Sequence, residues 1–253
     1  MPANISKVEF WFGSSFHRNL LIRPEGHWSG KTVLVFPDWL GRTPAQEEFA
    51  LNLAAEGHVA MCMDVYGGGR TAADAAEAEA LMTPLVQDRN GLMQLLQKLV
   101  GQVRKALPQE TGQLSTIGFC FGGLCVLDLA RAGEELDFVA SFHGVLEPPA
   151  SRTNATIKSK IAIFHGWRDP IASQASLMNL AEELNRADVR WELHCCGNAQ
   201  HAFMMPHAAA PEAGILYNEA AAQRSWQILL AMLGGQREIA NDCDPLPAAA
   251  NLS

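Results

Sequence analysis

Short apolar runs alternate along the chain with stretches in which apolar residues recur every three or four positions. The short runs are typical of buried strands, and the periodic stretches are typical of amphipathic helices. Strands are predicted over residues 8–12, 19–22, 33–36, 59–64, 114–118, 138–142, 161–164 and 189–195. Helices are predicted over residues 46–55, 85–107, 122–132, 173–185 and 218–233. The first two strands form a hairpin, and the alternation that follows predicts an α/β fold, a mostly parallel sheet of about eight strands with helices on both faces.

A single α/β domain is predicted over residues 1–238, since domains built on one large sheet often reach about 250 residues. Residues 239–253 are rich in Ala, Asn and Pro and show no periodicity, which predicts an irregular tail. Residues 71–80 are rich in alanine, which favours a helix. Two interpretations stay open for that helix: an ordinary surface element, or a cover over the mouth of a pocket.

A cysteine occupies the predicted sharp turn between the strand at 114–118 and the helix at 122–132. Residues 118–123 read GFCFGG, with Cys120 in the third place. Glycines are needed around such a turn because side chains there would collide with the neighbouring strand and helix. The turn also sets the first N–H groups of the helix beside the thiol, where they can bind an oxyanion and lower the pKa of the thiol. The pattern predicts a cysteine nucleophile for acyl transfer; the alternative is a buried, inert cysteine.

An acid follows the nucleophile at the end of a later strand. Asp169 lies in the segment HGWRDP, residues 165–170, directly after the apolar run at 161–164. The carboxyl ends of parallel strands face the ligand crevice of an open sheet, so a carboxylate there can reach an imidazole. The alternative for Asp169 is a turn-forming aspartate. Asp38 and Asp64 are rival acids at strand ends, but both precede the cysteine.

A histidine comes last, in the segment GNAQHAF at residues 197–203. His201 in that segment follows the last predicted strand, and the order nucleophile, acid, histidine is the order of α/β hydrolases. A lone histidine is more often structural than catalytic, and seven others compete with His201. His143 and His165, at strand ends near the same crevice, are candidate supporting residues.

These segments resemble the dienelactone hydrolase family of α/β hydrolases. The resemblance rests on four segments and covers about residues 33–233: DVYGGG at 64–69, GFCFGG at 118–123, HGWRDP at 165–170 and QHAF at 200–203. It implies an α/β-hydrolase fold in which Cys120 is the nucleophile, His201 the base and Asp169 the residue that orients His201. It also implies that the backbone N–H groups of Phe121 and Trp39 bind the oxyanion.

Two departures from the family pattern concern the substrate. Family members that hydrolyse the dienelactone carry a glutamate where this chain has Asp38, and an arginine that binds the substrate carboxylate shortly after the histidine. Here Met204, Met205 and Pro206 follow Phe203. An apolar pocket without that arginine is a poor site for a carboxylated lactone. The predicted pocket residues are Asp38, Tyr66, Trp167, Phe203, Met204 and Met205, with core packing as the alternative for the two methionines.

Together the residues and the resemblance predict a hydrolase that cleaves small esters or lactones through a Cys-His-Asp triad and an acyl-thioester intermediate. Amides are poor substrates for such a site because an amine is a worse leaving group than an alcohol. Two other classes stay open. One is a thiol redox sensor or ligand-binding protein on the same scaffold, and the other is a thioesterase or acyltransferase with the same residues.

The composition of the chain excludes several classes of binding partner. The chain has 27 acidic against 19 basic side chains and a net charge of −8, without a basic stripe, so nucleic acid is not an expected partner. The first residues lack the features of a secretory signal and no apolar run is long enough to span a bilayer, which predicts a cytoplasmic protein with no membrane partner. The six cysteines match neither a metal site nor a disulfide framework, and the three glycines at 67–69 lack the lysine of a phosphate-binding loop. We expect no metal and no cofactor, and the sequence does not indicate an oligomeric state.

Overall fold

The computed structural model describes residues 3–26, 28, 31–150 and 155–234, and these form one central sheet covered by helices. The strands are β1 (Ala3–Phe12), β2 (Ser15–Pro24), β3 (Thr32–Phe36), β4 (Val59–Cys62), β5 (Leu114–Phe119), β6 (Phe138–Phe142), β7 (Lys160–Gly166) and β8 (Trp191–Cys196). The helices are α1 (Pro44–Ala55), α2 (Ala75–Gln87), α3 (Arg89–Ala106), α4 (Phe121–Arg131), α5 (Gln174–Arg186) and α6 (Glu219–Gly234). A small two-stranded sheet, β9 (Ala209–Ala210) with β10 (Ile215–Leu216), lies between β8 and α6.

The eight strands lie in the order β1-β2-β4-β3-β5-β6-β7-β8. Strands β3 to β8 run parallel, while the β1–β2 hairpin joins β4 in antiparallel fashion. Because side chains alternate across a strand, each central strand serves two core layers. In β3, Leu34 packs in the cluster beneath α3, α4 and α5, whereas Val33 and Val35 pack in the cluster beneath α1 and α6. Burial on both faces explains the unbroken apolar runs in the sequence.

The predicted fold class is confirmed, and three details differ from the sequence prediction. The opening hairpin is longer than its apolar runs, since β1 and β2 pair from Ala3↔Pro24 to Phe12↔Ser15. The helix predicted over 85–107 is two helices, α2 and α3, separated at Asp88. The Asp88 side chain accepts a hydrogen bond from the N–H of Gly91 and so caps α3. The β9–β10 sheet was not predicted, because two-residue strands leave no periodic pattern.

The alanine-rich segment forms the start of α2. Asp74 caps this helix by accepting a hydrogen bond from the N–H of Glu77. Ala78 is the buried residue of α2, and Leu81, Met82 and other apolar residues of its second half pack partly buried against the core. The helix therefore has one face on the core. The tail predicted over 239–253 lies outside the described residues, and the domain boundary at 238 stays a prediction.

A buried ion cluster fixes α4, the helix that follows the cysteine. Asp128 is fully buried and accepts two hydrogen bonds from Arg89, at 2.7 and 2.8 Å, and one from Arg131 at 3.3 Å. Arg131 in turn donates to both carboxylate oxygens of Glu183, at 2.8 and 2.9 Å. Breaking such a buried network by removing one partner typically costs about 3–5 kcal/mol. The cluster therefore holds α3, α4 and α5 in a fixed relation beneath the turn that carries Cys120.

No helix in the described part of the chain is both long enough and apolar enough to cross a membrane.

Candidate active site

Cys120 lies in a strained turn between β5 and α4. Its φ of 52° and ψ of −111° fall in a region that residues other than glycine seldom adopt. Such a conformation costs about 1–3 kcal/mol and persists only where the surroundings determine it. Here the N–H of Cys120 donates to the carbonyl of Phe142 at 3.0 Å, and the carbonyl of Cys120 accepts from the N–H of Leu124 at 3.2 Å. The thiol stays partly exposed at the carboxyl edge of the sheet.

The glycines of GFCFGG are required by close backbone approach. A Cβ on Gly118 would lie 2.1 Å from the carbonyl oxygen of Gly122, and a Cβ on Gly122 would lie 2.4 Å from the carbonyl oxygen of Phe36. A Cβ on Gly123 would lie 2.6 Å from the Cα of Gly144. Each distance is far below a van der Waals contact, and backbone atoms cannot move aside as a flexible side chain does. The motif thus packs β5, the start of α4, the end of β3 and the loop after β6 around Cys120.

His201 and Asp169 form a buried hydrogen-bonded pair. The Nδ1 atom of His201 lies 2.7 Å from Oδ2 of Asp169, and the residues are 3% and 5% exposed. The other carboxylate oxygen, Oδ1, accepts the N–H groups of Ile171 at 2.8 Å and Ala172 at 3.0 Å. With Oδ1 held by the backbone, Oδ2 is directed at the imidazole. This is the geometry in which an acid sets the tautomer and orientation of a catalytic histidine.

The β9–β10 turn holds the loop of His201 against the loop of Asp169. The N–H of His201 donates to the carbonyl of Gly214 at 2.9 Å, and the carbonyl of His201 accepts from the N–H of Leu216 at 3.1 Å. Gly214 has a φ of 72°, and a Cβ there would lie 2.4 Å from Cγ of Pro170. No larger residue fits between the two loops without displacing one of them. The unpredicted small sheet therefore positions His201.

The electrostatics of His201 couple it to the cysteine. Burial alone would lower the pKa of His201, but the charge of a Cys120 thiolate and the hydrogen bond to Asp169 outweigh burial and raise it to about 10. The Nε2 atom is buried and makes no hydrogen bond of standard geometry within the described residues. Contacts between nucleophile and base are often loose in free enzymes and tighten when substrate binds. The imidazolium is thus favoured when the thiol is ionised.

The two backbone N–H groups predicted to bind an oxyanion lie on touching segments. Phe121 is the first residue of α4 and Trp39 follows β3, and within the described residues neither N–H donates to a protein acceptor. The two segments meet where a Cβ on Gly122 would lie 2.4 and 2.5 Å from the carbonyl oxygens of Phe36 and Pro37. Two unengaged donors on adjoining backbone next to Cys120 are an arrangement that an oxyanion hole requires.

The predicted pocket residues are placed in three different environments. Asp38 is buried, accepts the N–H of Leu40 at 2.8 Å, and lies 4.0 Å from Nε2 of His207. Burial raises the pKa of Asp38. Tyr66 is buried as well, whereas Trp167 is 47% exposed. Phe203, Met204 and Met205 are 0–3% exposed and pack in the core cluster beneath α1 and α6. As substrate contacts these residues stay predictions.

Two further histidines lie near His201. His143 and His165 are 0% and 1% exposed, and none of their ring nitrogens has a hydrogen-bond partner in the described residues. The ring of His143 packs edge-on against that of His201, with centroids 5.2 Å apart and planes 72° apart. Burial lowers the pKa of both supporting histidines. They are therefore neutral groups near His201.

The contact of His207 with Asp38 had no signal in the sequence. His207 is half-exposed and lies six positions beyond His201. It is one of eight histidines in the chain and belongs to none of the motifs. The β9–β10 turn that anchors His201 was missed as well, although Gly214 marks a turn there.

Acid will destabilise the fold through its buried histidines. His58, His143 and His165 all have a lowered pKa in the folded chain, with burial as the main cause. An unfolded histidine titrates near 6.5, so below that pH the unfolded state binds protons that the folded state does not. Stability is then lost as the pH falls, by about 1.4 kcal/mol per histidine and pH unit. His201 does not offset this loss, because with a raised pKa it is protonated in both states there.

Urea unfolding at pH 7.0 and 5.5 measures the effect, with an expected loss of more than about 2 kcal/mol. His143→Leu should reduce the slope against pH by about one proton. A slope in this variant equal to that of the wild type would rule out this origin.

The three glycines after Tyr66 do not form a phosphate cradle. Gly67, Gly68 and Gly69 all have left-handed φ values, 80°, 68° and 70°. The carboxylate of Asp64 accepts the N–H of Gly67 at 2.9 Å and of Gly69 at 2.6 Å, and the carbonyl of Phe16 accepts that of Gly68 at 2.7 Å. All three donors are engaged inside the protein. Across the described ranges, no group of three or more His, Cys, Asp or Glu side chains is arranged to hold a metal ion.

Comparison with known proteins agrees with the resemblance seen in the sequence. The chain is 28% identical over 206 residues to a protein of Aquifex aeolicus that is provisionally named a carboxymethylenebutenolidase, covering 78% of this chain and 86% of that one. The solved structure of P91, a dienelactone hydrolase-like promiscuous phosphotriesterase from metagenomic libraries, is 28% identical with a TM-score of 0.79, over 91% of this chain and 97% of P91. The solved structure of m3DLH is 29% identical with a TM-score of 0.78, over 90% of this chain and 95% of that one.

The family assignment rests on the span of the match as well as on its motifs. The model of the dienelactone hydrolase family matches residues 18–236, which include the cysteine turn, the acid and the histidine. The matched range begins in β2 and ends just beyond α6, so it takes in the whole parallel part of the sheet. With its α/β-hydrolase fold, the chain belongs to the dienelactone hydrolase family.

Proposed function

We propose that the protein hydrolyses small carboxylic esters or lactones that carry no carboxylate, with Cys120 as nucleophile, His201 as base and Asp169 as the residue that orients it. The observation that carries the proposal is the buried 2.7 Å hydrogen bond between His201 and Asp169, in a site where a Cys120 thiolate raises the pKa of the imidazole. The family is a family of hydrolases, which supports the same reaction class.

Acylation begins with transfer of the thiol proton from Cys120 to Nε2 of His201. The thiolate then attacks the carbonyl carbon, and the carbonyl oxygen takes up negative charge that the N–H groups of Phe121 and Trp39 stabilise. Collapse of this intermediate breaks the bond to the leaving oxygen. His201 donates its proton to that oxygen, and an alcohol departs while the acyl group stays on sulfur as a thioester. Asp169 keeps Nδ1 of the imidazole protonated throughout.

Deacylation uses the same groups with water in place of the thiol. Nε2 of His201 removes a proton from a water molecule as that water attacks the thioester carbonyl. The same two N–H groups stabilise the second oxyanion. Cys120 leaves as the thiolate, recovers its proton from His201, and the carboxylic acid is released. A lactone follows both steps with its alcohol attached to the acyl group.

A screen of p-nitrophenyl esters and lactones, followed by mass spectrometry of enzyme quenched during turnover, tests the proposal. We expect turnover and an acyl adduct on the peptide that contains Cys120. An adduct on the exposed Cys195 alone would contradict the assignment of the nucleophile. Phosphotriesters belong in the same screen because P91 resembles this chain. Oxidation of Cys120 without turnover of any substrate would favour the thiol sensor. Acyl transfer to another thiol or alcohol would favour the acyltransferase.

A cytoplasmic location stays a prediction from the sequence.

Charge on the acyl group will lower activity. Met204, Met205 and Pro206, with no arginine among them, come directly after Phe203, and the buried Asp38 would repel a substrate carboxylate whenever it is ionised. We expect kcat/KM for p-nitrophenyl butyrate to exceed that for mono-p-nitrophenyl succinate by at least about 10-fold, or 1.4 kcal/mol. The methyl ester of the succinate, which keeps the succinyl chain and replaces its charge with one methyl group, is the control and should behave like the butyrate. Equal values for all three substrates would exclude a pocket that rejects carboxylates.

A further inference from the structure

We propose that Tyr66 is a positioning residue that fixes both backbone donors of the oxyanion hole. The inference rests on the proposed function, because it concerns the N–H groups of Trp39 and Phe121 as donors to an oxyanion. Tyr66 contacts both residues. In this role Tyr66 acts through the backbone of Trp39 and Phe121.

The first contact is a hydrogen bond to the segment after β3. The hydroxyl of Tyr66 donates to the carbonyl oxygen of Trp39 at 2.8 Å. Burial raises the pKa of Tyr66, so the hydroxyl keeps its proton and remains a donor over the working pH range. The carbonyl of Trp39 and its N–H belong to the two peptide units on either side of one Cα. With the unit that carries the carbonyl held, the unit that carries the N–H can turn only about the two dihedrals of that one Cα.

The second contact is with the start of α4. The rings of Tyr66 and Phe121 are stacked, with centroids 5.9 Å apart and planes 11° apart. Both side chains are buried, at 6% and 1% exposure, so the stack excludes solvent. Offset stacking of this kind contributes about 0.5–1.5 kcal/mol beyond the area it buries. One side chain therefore contacts both of the segments that carry the donors.

Tyr66 itself stands on a rigid segment, residues 64–72. Asp64 accepts the N–H groups of Gly67 and Gly69 through its two carboxylate oxygens. Beyond the glycines, the N–H of Ala72 donates to the carbonyl of Leu40 at 2.9 Å, and Thr71 forms an antiparallel bridge with Gly41.

The segment after β3 is closely fitted to this support. A Cβ on Gly41 would lie 2.6 Å from the carbonyl oxygen of Arg70, so the two backbones pack without room for a side chain. Such close packing transmits position well, because neither segment can shift alone. The glycine N–H groups of the DVYGGG segment are all hydrogen-bonded within the protein, so they are not free to bind a ligand. The segment instead supports the oxyanion hole by holding Tyr66 in place.

Loss of the Tyr66 hydroxyl would leave the carbonyl of Trp39 without its donor and free the peptide to rotate. Donors that are already aimed at the developing charge act mainly in the transition state, where the oxygen is most negative. Removing one donor outright typically costs about 10²–10³ in kcat, so misaiming one should cost on the order of 10-fold. Substrate binding in the ground state needs neither donor, and KM should change little.

Tyr66→Phe tests the inference, since it keeps the ring and its stack and deletes the hydroxyl. The matched control is Tyr217→Phe at the only other tyrosine, which lies beyond β10. We expect kcat for a p-nitrophenyl ester to fall on the order of 10-fold in Tyr66→Phe with KM within about twofold, and no change in the control. Alkylation of Cys120 by iodoacetamide needs the thiolate but no oxyanion hole. Its rate should stay at the wild-type value in both variants.

Each other result overturns the inference. Unchanged kcat in Tyr66→Phe, a loss of equal size in Tyr217→Phe, or a loss expressed only in KM would show that the hydroxyl does not position the donors. A parallel fall in the alkylation rate would place the effect on the thiol instead. Wild-type enzyme that hydrolyses no ester, yet is alkylated normally at Cys120, would overturn the proposed function together with this inference. Thermal unfolding of each variant shows whether a loss of activity reflects a loss of fold.

Discussion

Replacing Cys120 with alanine will lower kcat/KM for ester hydrolysis by about 10⁴-fold or more, while the protein stays folded. The thiol of Cys120 is the proposed nucleophile, with His201 as its proposed base and the N–H groups of Phe121 and Trp39 as the proposed oxyanion donors. Alanine has the same backbone restrictions as cysteine at a φ of 52°, so the turn should keep its conformation. What remains after the substitution is substrate binding without a covalent intermediate.

Two further variants make this result interpretable. Cys120→Ser keeps a hydroxyl in place of the thiol but raises the pKa of the nucleophile by several units, so we expect a large loss that falls short of the alanine variant. Cys195→Ala makes the same chemical change at an exposed cysteine on the edge strand β8, and should leave kcat/KM at the wild-type value. Steady-state kinetics and urea unfolding of all three variants provide the comparison. If Cys120→Ala retained a tenth of the activity, the triad assignment would be wrong.

The elements nearest to Cys120 were the most predictable from sequence, for a physical reason. Gly118, Gly122 and Gly123 are each required by a backbone contact shorter than a side chain permits. Such a constraint leaves a local signature that can be read without the fold. The parallel strands were equally predictable from the sequence, because burial on both faces requires continuous apolar runs. Chain order then predicted that Asp169 and His201 would meet, and their side chains are hydrogen-bonded at 2.7 Å.

Contacts between distant segments left no comparable signature. The hydroxyl of Tyr66 meets the carbonyl of Trp39 across 27 positions, and nothing in the residues beside either one marks the bond. The break at Asp88 was obscured because apolar residues continue through α2 and α3, and a single capping side chain decides where one helix ends. The extent of the β1–β2 hairpin depends on backbone pairing, since several of its residues are exposed and polar. Pairing and hydrogen bonds of this kind are decided by tertiary structure.

Replacing Asp169 with asparagine will lower kcat by about 10³–10⁴-fold with little change in fold. Oδ1 of Asp169 accepts the N–H groups of Ile171 and Ala172, so only the oxygen of an asparagine amide fits that position. The NH₂ group must then face Nδ1 of His201, which lies 2.7 Å from the present Oδ2. An amide that donates to Nδ1 forces the ring proton onto Nε2. His201 would then present a proton to Cys120 where it must accept one.

A matched carboxylate-to-amide change elsewhere in the chain separates the shift of the His201 ring proton from a mere loss of negative charge. Asp188 has a φ of 54° and is exposed, and asparagine tolerates that conformation, so Asp188→Asn should have wild-type kinetics. The raised pKa of His201 depends partly on its hydrogen bond to Asp169, so the pKa of the imidazole should fall in Asp169→Asn. NMR titration of the His201 ring measures that shift independently of turnover. A variant with the tautomer reversed but kcat within about tenfold of the wild type would mean that His201 is not the base, because a base cannot act through a nitrogen that already holds its proton.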